Sequence, residues 1–168
     1  MTTSHASAPT LIRATGADEL SDAPGSVITL LADSDTTGSA LTTNRAALQP
    51  GAAGAPPHFH TRATELLYVL GGRLQVLAGE DLHTLEAGEA ISLPPELPHA
   101  FAPAEDCAAE LLVVFSPGMD RFDYYRLLHR VHRGEADPAE IARSAERFDN
   151  HYVDSPVWRE ARARVGRS

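Results

Sequence analysis

The reading of this chain turns on His58-Phe59-His60-Thr61-Arg62-Ala63-Thr64-Glu65. In an extended strand, residues two apart project to the same face, so the imidazoles of His58 and His60 stand side by side. Four residues separate His60 from Glu65, enough for a bend that returns the chain and aims a carboxylate back at both rings. Further on, Gly88-Glu89-Ala90-Ile91-Ser92-Leu93-Pro94-Pro95-Glu96-Leu97-Pro98-His99 closes on a proline-rich turn. That turn brings His99 in as a third imidazole from a neighbouring strand. Three neutral imidazoles and one carboxylate make a mixed nitrogen and oxygen site for a divalent transition metal, with positions left for substrate or water. Burying four such groups with nothing to pair them is costly, so the metal reading outweighs a set of satisfied core histidines.

Outward from this stretch, the sequence alternates short apolar runs with turn signals. Gln49 to Pro57 is a glycine and proline loop that delivers the chain to His58 extended. Upstream, Leu11 and Ile12 open a first strand, a polar loop runs to Gly25, Val27 to Leu31 reads as a strand, and Ser39 to Leu48 as another. Downstream, Glu65 to Leu70 is a strand ended by Gly71-Gly72, taken as a hairpin turn into Arg73 to Leu77. Gly79-Glu80-Asp81 is the next turn, and Leu82 to Leu85, Ala90 to Leu93, His99 to Ala102 and Ala108 to Phe115 complete the series. Many short strands with turns roughly every eight to twelve residues predict an all-β sandwich or barrel.

The two histidine stretches resemble the signature motifs of the cupin superfamily, G(x)5HxH(x)3-4E(x)6G and G(x)5PxG(x)2H(x)3N. His58, His60, Glu65 and Gly72 fit the first; Gly88, Pro94 and His99 fit the second at the family spacing. The departures are Gly51 one residue early, Glu96 in place of the glycine after Pro94, and Pro103 in place of the last asparagine. They concern turns and remove no ligand. The resemblance implies a cupin jelly-roll barrel with His58, His60, Glu65 and His99 holding the metal inside. It is similar to single-domain quercetin dioxygenase-like cupins, which implies a dioxygenase acting on a small flavonol-like or polyketide-like aromatic, with Glu65 as proton acceptor. The same ligand set serves unrelated reactions. A non-redox cyclase or isomerase, or a small-molecule-binding cupin, is therefore the alternative. The metal is one of Ni, Fe, Co, Mn, Zn or Cu, which the ligands do not separate.

Strand alternation from Glu65 points Leu67 and Val69 inward, and Phe101 shares the face of His99. With Phe115 these give an apolar pocket suited to a planar substrate. Leu66, Tyr68 and Leu70 point the other way, and an apolar outer face calls for a cover, which predicts a homodimer. His83 reads as surface, His129 and His132 as helical residues without a third ligand, and Arg62 as a solvent-facing turn residue.

After Phe115 the pattern changes. Ser116-Pro117 is a helix start and Gly134 a stop, with Tyr124, Leu127, Leu128 and Val131 forming one apolar stripe between them. Asp137-Pro138-Ala139-Glu140 starts a second helix, with Ile141, Ala145 and Phe148 as its apolar face; an Ala/Arg tail after Trp158 is expected to fray. The expected organisation is a disordered N-terminus over 1–10, a barrel over 11–116, and a helical extension over 117–168 packed on the barrel.

At 168 residues, with 43% hydrophobic and 22% charged residues, one globular domain is expected. The net charge of −9 speaks against nucleic acid as a partner. No apolar run reaches membrane-spanning length, no basic-then-apolar leader opens the chain, and a lone cysteine, Cys107, fits a reducing cytoplasm.

Overall fold

The structure is a computed structural model in which residues 9–165 are described. The expectations for residues 1–8 and for the last three residues of the tail lie outside the described residues. From residue 9 the chain has no regular structure until a single 3-10 turn, Ala14–Gly16. The strand expected at Leu11 and Ile12 is absent; Leu11 is exposed. The first strand is instead β1, Glu19–Ala23, in the segment expected to be a polar loop. It pairs antiparallel with β2, Ser26–Ala32, across the turn at Gly25. Its Glu-Leu-Ser-Asp-Ala sequence carries no apolar alternation, because β1 is an edge strand whose pairing rests on backbone hydrogen bonds and on helical packing against it.

Among the described residues, ten strands form one curled antiparallel sheet. β3 is Thr42–Leu48, β4 Ala55–Phe59, β5 Thr64–Ala78, β6 Asp81–Glu86, β7 Ala90–Leu93, β8 His99–Pro103 and β9 Ala109–Ser116. β10 is the short His151–Tyr152. One half of the barrel is ordered β1-β2-β3-β9-β5-β7, and the other is β6-β5-β8-β4-β10. β5 belongs to both. Its first half pairs with β9 and β7, its second with β6 and β8.

This corrects the hairpin expected at Gly71-Gly72. The two glycines lie inside β5 at a register shift against β9, where the strand bends from one half of the barrel into the other. Gly72 has a φ of 70°, and a Cβ there would stand 1.9 Å from the Ala108 carbonyl oxygen. A glycine pair marks a bulge as readily as a turn, and only the close approach of β9 selects the bulge.

The core fills the curl with Leu67, Val69, Leu74, Val76, Leu93, Leu111, Val113 and Phe115, the inward-facing residues of β5, β7 and β9. A second cluster lies on the other side of β2. There, helix α1, Phe122–His132, buries Tyr124, Tyr125 and Leu127 against Ile28 and Leu30. The helix begins later than Ser116-Pro117 because its N-terminus is capped from outside its own sequence. The Asp33 carboxylate at the end of β2 accepts from the Arg121 and Phe122 backbone N–H groups at 3.3 and 3.1 Å. Gly134, at a φ of 72°, follows the helix end.

Helix α2, Ala139–Arg143, starts at the expected capping pair: Asp137 Oδ1 accepts from the Ala139 N–H, and Glu140 Oε1 from the Asp137 N–H. Helix α3, Ala145–Phe148, buries Phe148. The Ala/Arg segment expected to fray is helix α4, Pro156–Val165, which sinks Trp158 and Ala161 against Leu77, Ala100 and Ala102 on the outside of the β5–β8 pair.

Candidate metal centre

His58 is the last residue but one of β4, Glu65 the second of β5 and His99 the first of β8, so three neighbouring strands carry three of the four side chains. His58 and His99 are directly paired residues of β4 and β8. His60 lies just past β4, in the bend that returns the chain to Glu65. All four are buried, with Glu65 only 2% exposed, and their ligand atoms lie within 4.8 Å of one another. Glu65 Oε2 is 2.8 Å from His99 Nε2, 3.1 Å from His60 Nε2 and 4.0 Å from His58 Nε2.

The outer nitrogens decide what the inner ones can do. His58 Nδ1 is 2.8 Å from the Pro56 carbonyl, His60 Nδ1 2.6 Å from the Asp149 carbonyl, and His99 Nδ1 2.8 Å from the Leu97 carbonyl. A carbonyl oxygen only accepts, so every Nδ1 carries its proton and donates it. In neutral rings each Nε2 then presents a lone pair to the centre, where Glu65 presents another. Lone pairs converging at this distance repel unless a proton or a cation lies between them. The backbone carbonyls have thus set all three rings in the metal-binding tautomer, and the donor set fits a divalent transition metal.

The charges respond as expected. Burial and the neighbouring His99 and His60 hold His58 well below its ordinary pKa, which keeps it neutral. Burial raises Glu65, but where a proton lies between the carboxylate and the His60 and His99 Nε2 atoms, the resulting hydrogen bonds outweigh burial and hold the carboxyl well below its usual range. Burial lowers His99, and the Glu65 hydrogen bond and charge more than offset it.

Two features of the bend were not visible in the motif. Asp149, left-handed at a φ of 49° and buried, accepts from the Thr61 N–H and hydroxyl at 2.9 and 2.7 Å and from the Arg62 N–H at 3.0 Å. Its backbone carbonyl holds His60, so one residue fixes both the bend and a ligand. These hydrogen bonds overcome the cost of burial and lower its carboxyl to about 2. Glu96, standing where the motif has glycine, keeps a φ of 66° and donates its N–H to the His60 carbonyl at 2.7 Å.

A cavity of ≈ 220 Å³ opens from His58 and Glu65 into the space between β2, β3, β9 and α1. Its apolar wall includes Ile28, Leu48, Phe101 and Val113, and its polar wall Asp22, Asn44, Arg121, Tyr124, Tyr125, Asn150 and Tyr152. Of the four residues expected to line it, Phe101 is on the wall. Leu67, Val69 and Phe115 are packed in the core behind it, Phe115 edge-on to His60 with centroids 5.3 Å apart. The polar wall was missed, because Arg121, Tyr124 and Tyr125 read as helix start and apolar stripe, and Asn150 and Tyr152 as tail.

The remaining candidates lie elsewhere. His83 is exposed on β6, His132 is exposed, and His129 Nδ1 bonds the Ser21 carbonyl at 2.7 Å. Arg62 is exposed, with Nε 3.3 Å from Asp149. Among the described residues no helix is long and apolar enough to cross a membrane.

The curled barrel brings three histidines and a glutamate together inside it, and this donor set fits a metal site. Residues 44–115 of the chain match the Cupin domain family. No curated protein matches the chain. Among solved structures it is similar to KdgF from a Halomonas species, at 22% identity and a TM-score of 0.58 over 66% of this chain and 97% of that one. The polyketide cyclase RemF from Streptomyces resistomycificus is 22% identical, with a TM-score of 0.54 over 66% of this chain and 80% of that one. A Streptomyces Pac13 structure with uridine is 16% identical, with a TM-score of 0.55 over 70% and 88%; Pac13 is described as a nucleoside dehydratase. At these identities the likeness concerns the fold.

Proposed function

We propose that the protein is a metal-dependent enzyme that moves protons on a small, planar, hydroxylated or enolisable substrate. The observation that supports this is a buried carboxylate and a phenol pair on the walls of one cavity. His58, His60, Glu65 and His99 would hold a divalent cation, which would supply Lewis acidity to lower the pKa of a substrate hydroxyl. Glu65, ionised and buried at the inner end, takes the proton from that hydroxyl. Tyr124 and Tyr152 share a short hydrogen bond between their hydroxyls, with the Tyr152 ring 6.3 Å from that of His58. Burial, and then the Tyr152 oxygen, hold Tyr124 well above its ordinary pKa. It therefore stays protonated at neutral pH and offers its O–H as a hydrogen-bond donor. Tyr152 is 41% exposed and connects that donor to solvent. Ile28, Leu48, Phe101 and Val113 hold the flat face of the substrate and exclude water from it.

Cyclisation, dehydration and isomerisation all need a proton removed at one point and returned at another, so this reading is a non-redox one. The dioxygenase implied by the resemblance is the second reading, favoured by the apolar wall, which suits an electron-rich aromatic. Turnover of candidate hydroxylated aromatics with and without O2 separates the two. Rates that are equal without O2 support proton-transfer chemistry, and rates that vanish support the dioxygenase. Glu65→Gln, reloaded at high metal concentration, should be slower by roughly a hundredfold or more in either case. A wild-type rate in that variant removes Glu65 as the base.

The protein is also proposed to be a homodimer. Tyr68 and Leu70, at 38% and 45% exposed, lie on an outer sheet face with Leu66 that no helix covers among the described residues.

A further inference from the structure

Among the described residues, three buried side-chain polar atoms have no hydrogen-bond partner: Asp22 Oδ1, Arg121 Nε and Asn150 Nδ2. All three residues lie on the wall of the cavity that opens from the metal centre. Unpaired buried polar atoms are rare in folded proteins, and their gathering at one cavity marks a place where a ligand completes the bonding.

Arg121 is the decisive member. It is 4% exposed, and among the described residues its guanidinium forms no ion pair with a carboxylate. Its terminal nitrogens are spent on the Asn150 side-chain carbonyl, both at 3.2 Å, and on the Phe148 carbonyl at 3.4 Å. Its Cζ lies 4.3 Å from the Tyr124 ring centroid and 4.9 Å from that of Phe115, so aromatic faces hold the plane in place and leave Nε free. The Asn150 amide orientation follows from the same bonds: its oxygen accepts from Arg121, which leaves Nδ2 as a second free donor. A buried cation without a counter-charge is costly. A divalent cation at the four ligands, together with Arg121, would outweigh the Glu65 and Asp22 carboxylates, so the cavity as a whole would carry excess positive charge. Water answers the free N–H groups but not that charge.

We propose that the substrate is an anion, a small hydroxy or enol carboxylate whose carboxylate is held by Arg121 Nε and Asn150 Nδ2 while its hydroxyl faces Glu65. Asp22 Oδ1 takes a further hydroxyl or amide N–H of the same ligand. The inference rests on the proposed function in one respect, that the cavity is where the substrate binds. It makes Arg121 and Asn150 specificity-determining residues, absent from the metal motif and supplied by the segment after the barrel.

The test is calorimetric binding of three probes of one shape to the metal-loaded protein: 4-hydroxybenzoate, 4-hydroxybenzamide and methyl 4-hydroxybenzoate. A charge-assisted contact predicts that the acid binds roughly tenfold to a hundredfold more tightly than either neutral probe. Arg121→Gln should bring the three to within about twofold of one another while metal content is unchanged. Should that variant fail to fold, Asn150→Ala should reduce the same preference, and the wild-type comparison stands by itself. Stripping the metal should weaken all three probes but leave the preference for the acid. Equal binding of acid, amide and ester, or binding of none, overturns the proposal. So does a preference that survives Arg121→Gln and disappears with the metal, since the carboxylate would then sit on the ion. If the protein binds the acid selectively through Arg121 yet turns over no substrate, the anion site stands and the catalytic reading fails.

Discussion

Replacing Asp149 with glycine tests whether the metal centre is held in shape from outside the motif. Glycine keeps the left-handed backbone at a φ of 49° without strain and leaves the carbonyl that orients His60, so the change removes the carboxylate alone. Three well-formed hydrogen bonds are lost, from the Thr61 N–H, the Thr61 hydroxyl and the Arg62 N–H. The longer contacts to the exposed Arg62 Nε at 3.3 Å and to His151 Nε2 at 3.2 Å add less. At about 1 kcal/mol each, more with an ionised acceptor, the loss is about 3 kcal/mol. The depressed pKa expresses the same hydrogen bonds: a carboxyl at about 2 in place of 3.8 corresponds to roughly 2 kcal/mol of stabilisation at neutral pH. A loss of about 2–3 kcal/mol lowers Tm by roughly 4–12 °C in a chain of this length. The folded pKa lies below the unfolded one, so the contribution is complete above the unfolded value and is lost as pH falls through about 2. Urea titrations of wild type and Asp149→Gly should therefore differ at pH 7 and converge towards pH 2. Metal affinity, measured by competition with a chelator, should drop roughly tenfold to a hundredfold. A Tm within about 2 °C of wild type, together with unchanged metal affinity, would refute the claim that Asp149 braces the site.

Three further outcomes are expected. His58→Ala, His60→Ala and His99→Ala should each lower metal content, whereas His83→Ala, His129→Ala and His132→Ala should leave it at the wild-type level; full occupancy in His99→Ala would remove the second motif from the site. Glu96→Gly should stabilise the protein by up to about 1 kcal/mol in urea unfolding, because Glu96 holds a φ of 66° where the motif has glycine; a loss of stability would mean that its side chain contributes more than its backbone strain costs. Light scattering at micromolar concentration should give twice the chain mass of 18.0 kDa, and Tyr68→Arg with Leu70→Arg should give the monomer; a monomeric wild type refutes the dimer.

The ligands were legible because their geometry is local. HxH is a strand periodicity, the return to Glu65 is a short bend, and the Pro94 to His99 turn is written in its prolines. Most strands from Val27 to Phe115 followed from apolar alternation and turn residues; β4 instead begins at Ala55, inside the loop expected over Gln49 to Pro57. What the sequence concealed is long-range. Nothing near Asp149 announces that it clamps Thr61, or that His151 and Tyr152 pair with Phe59 and His58 as an extra strand. Arg121 was hidden by its place just before a helix, where its backbone is capped by Asp33 and its side chain turns into the cavity wall. Glycine pairs signal both hairpins and bulges, and β1 lacks apolar alternation, so Gly71-Gly72 and Glu19–Ala23 were misread for want of a local cue. Motif residues are thus visible in sequence, while the residues that give the cavity its polarity are assembled only by packing.

The central claim is that one divalent cation sits among His58, His60, Glu65 and His99. Anomalous diffraction from crystals of the metal-loaded protein, collected on both sides of the metal's absorption edge, tests it most directly. The account predicts a single strong peak per chain at roughly 2.0–2.2 Å from the three Nε2 atoms and Glu65 Oε2. A peak at His129 and His132, or no peak at the four residues in protein that elemental analysis finds loaded, would contradict it.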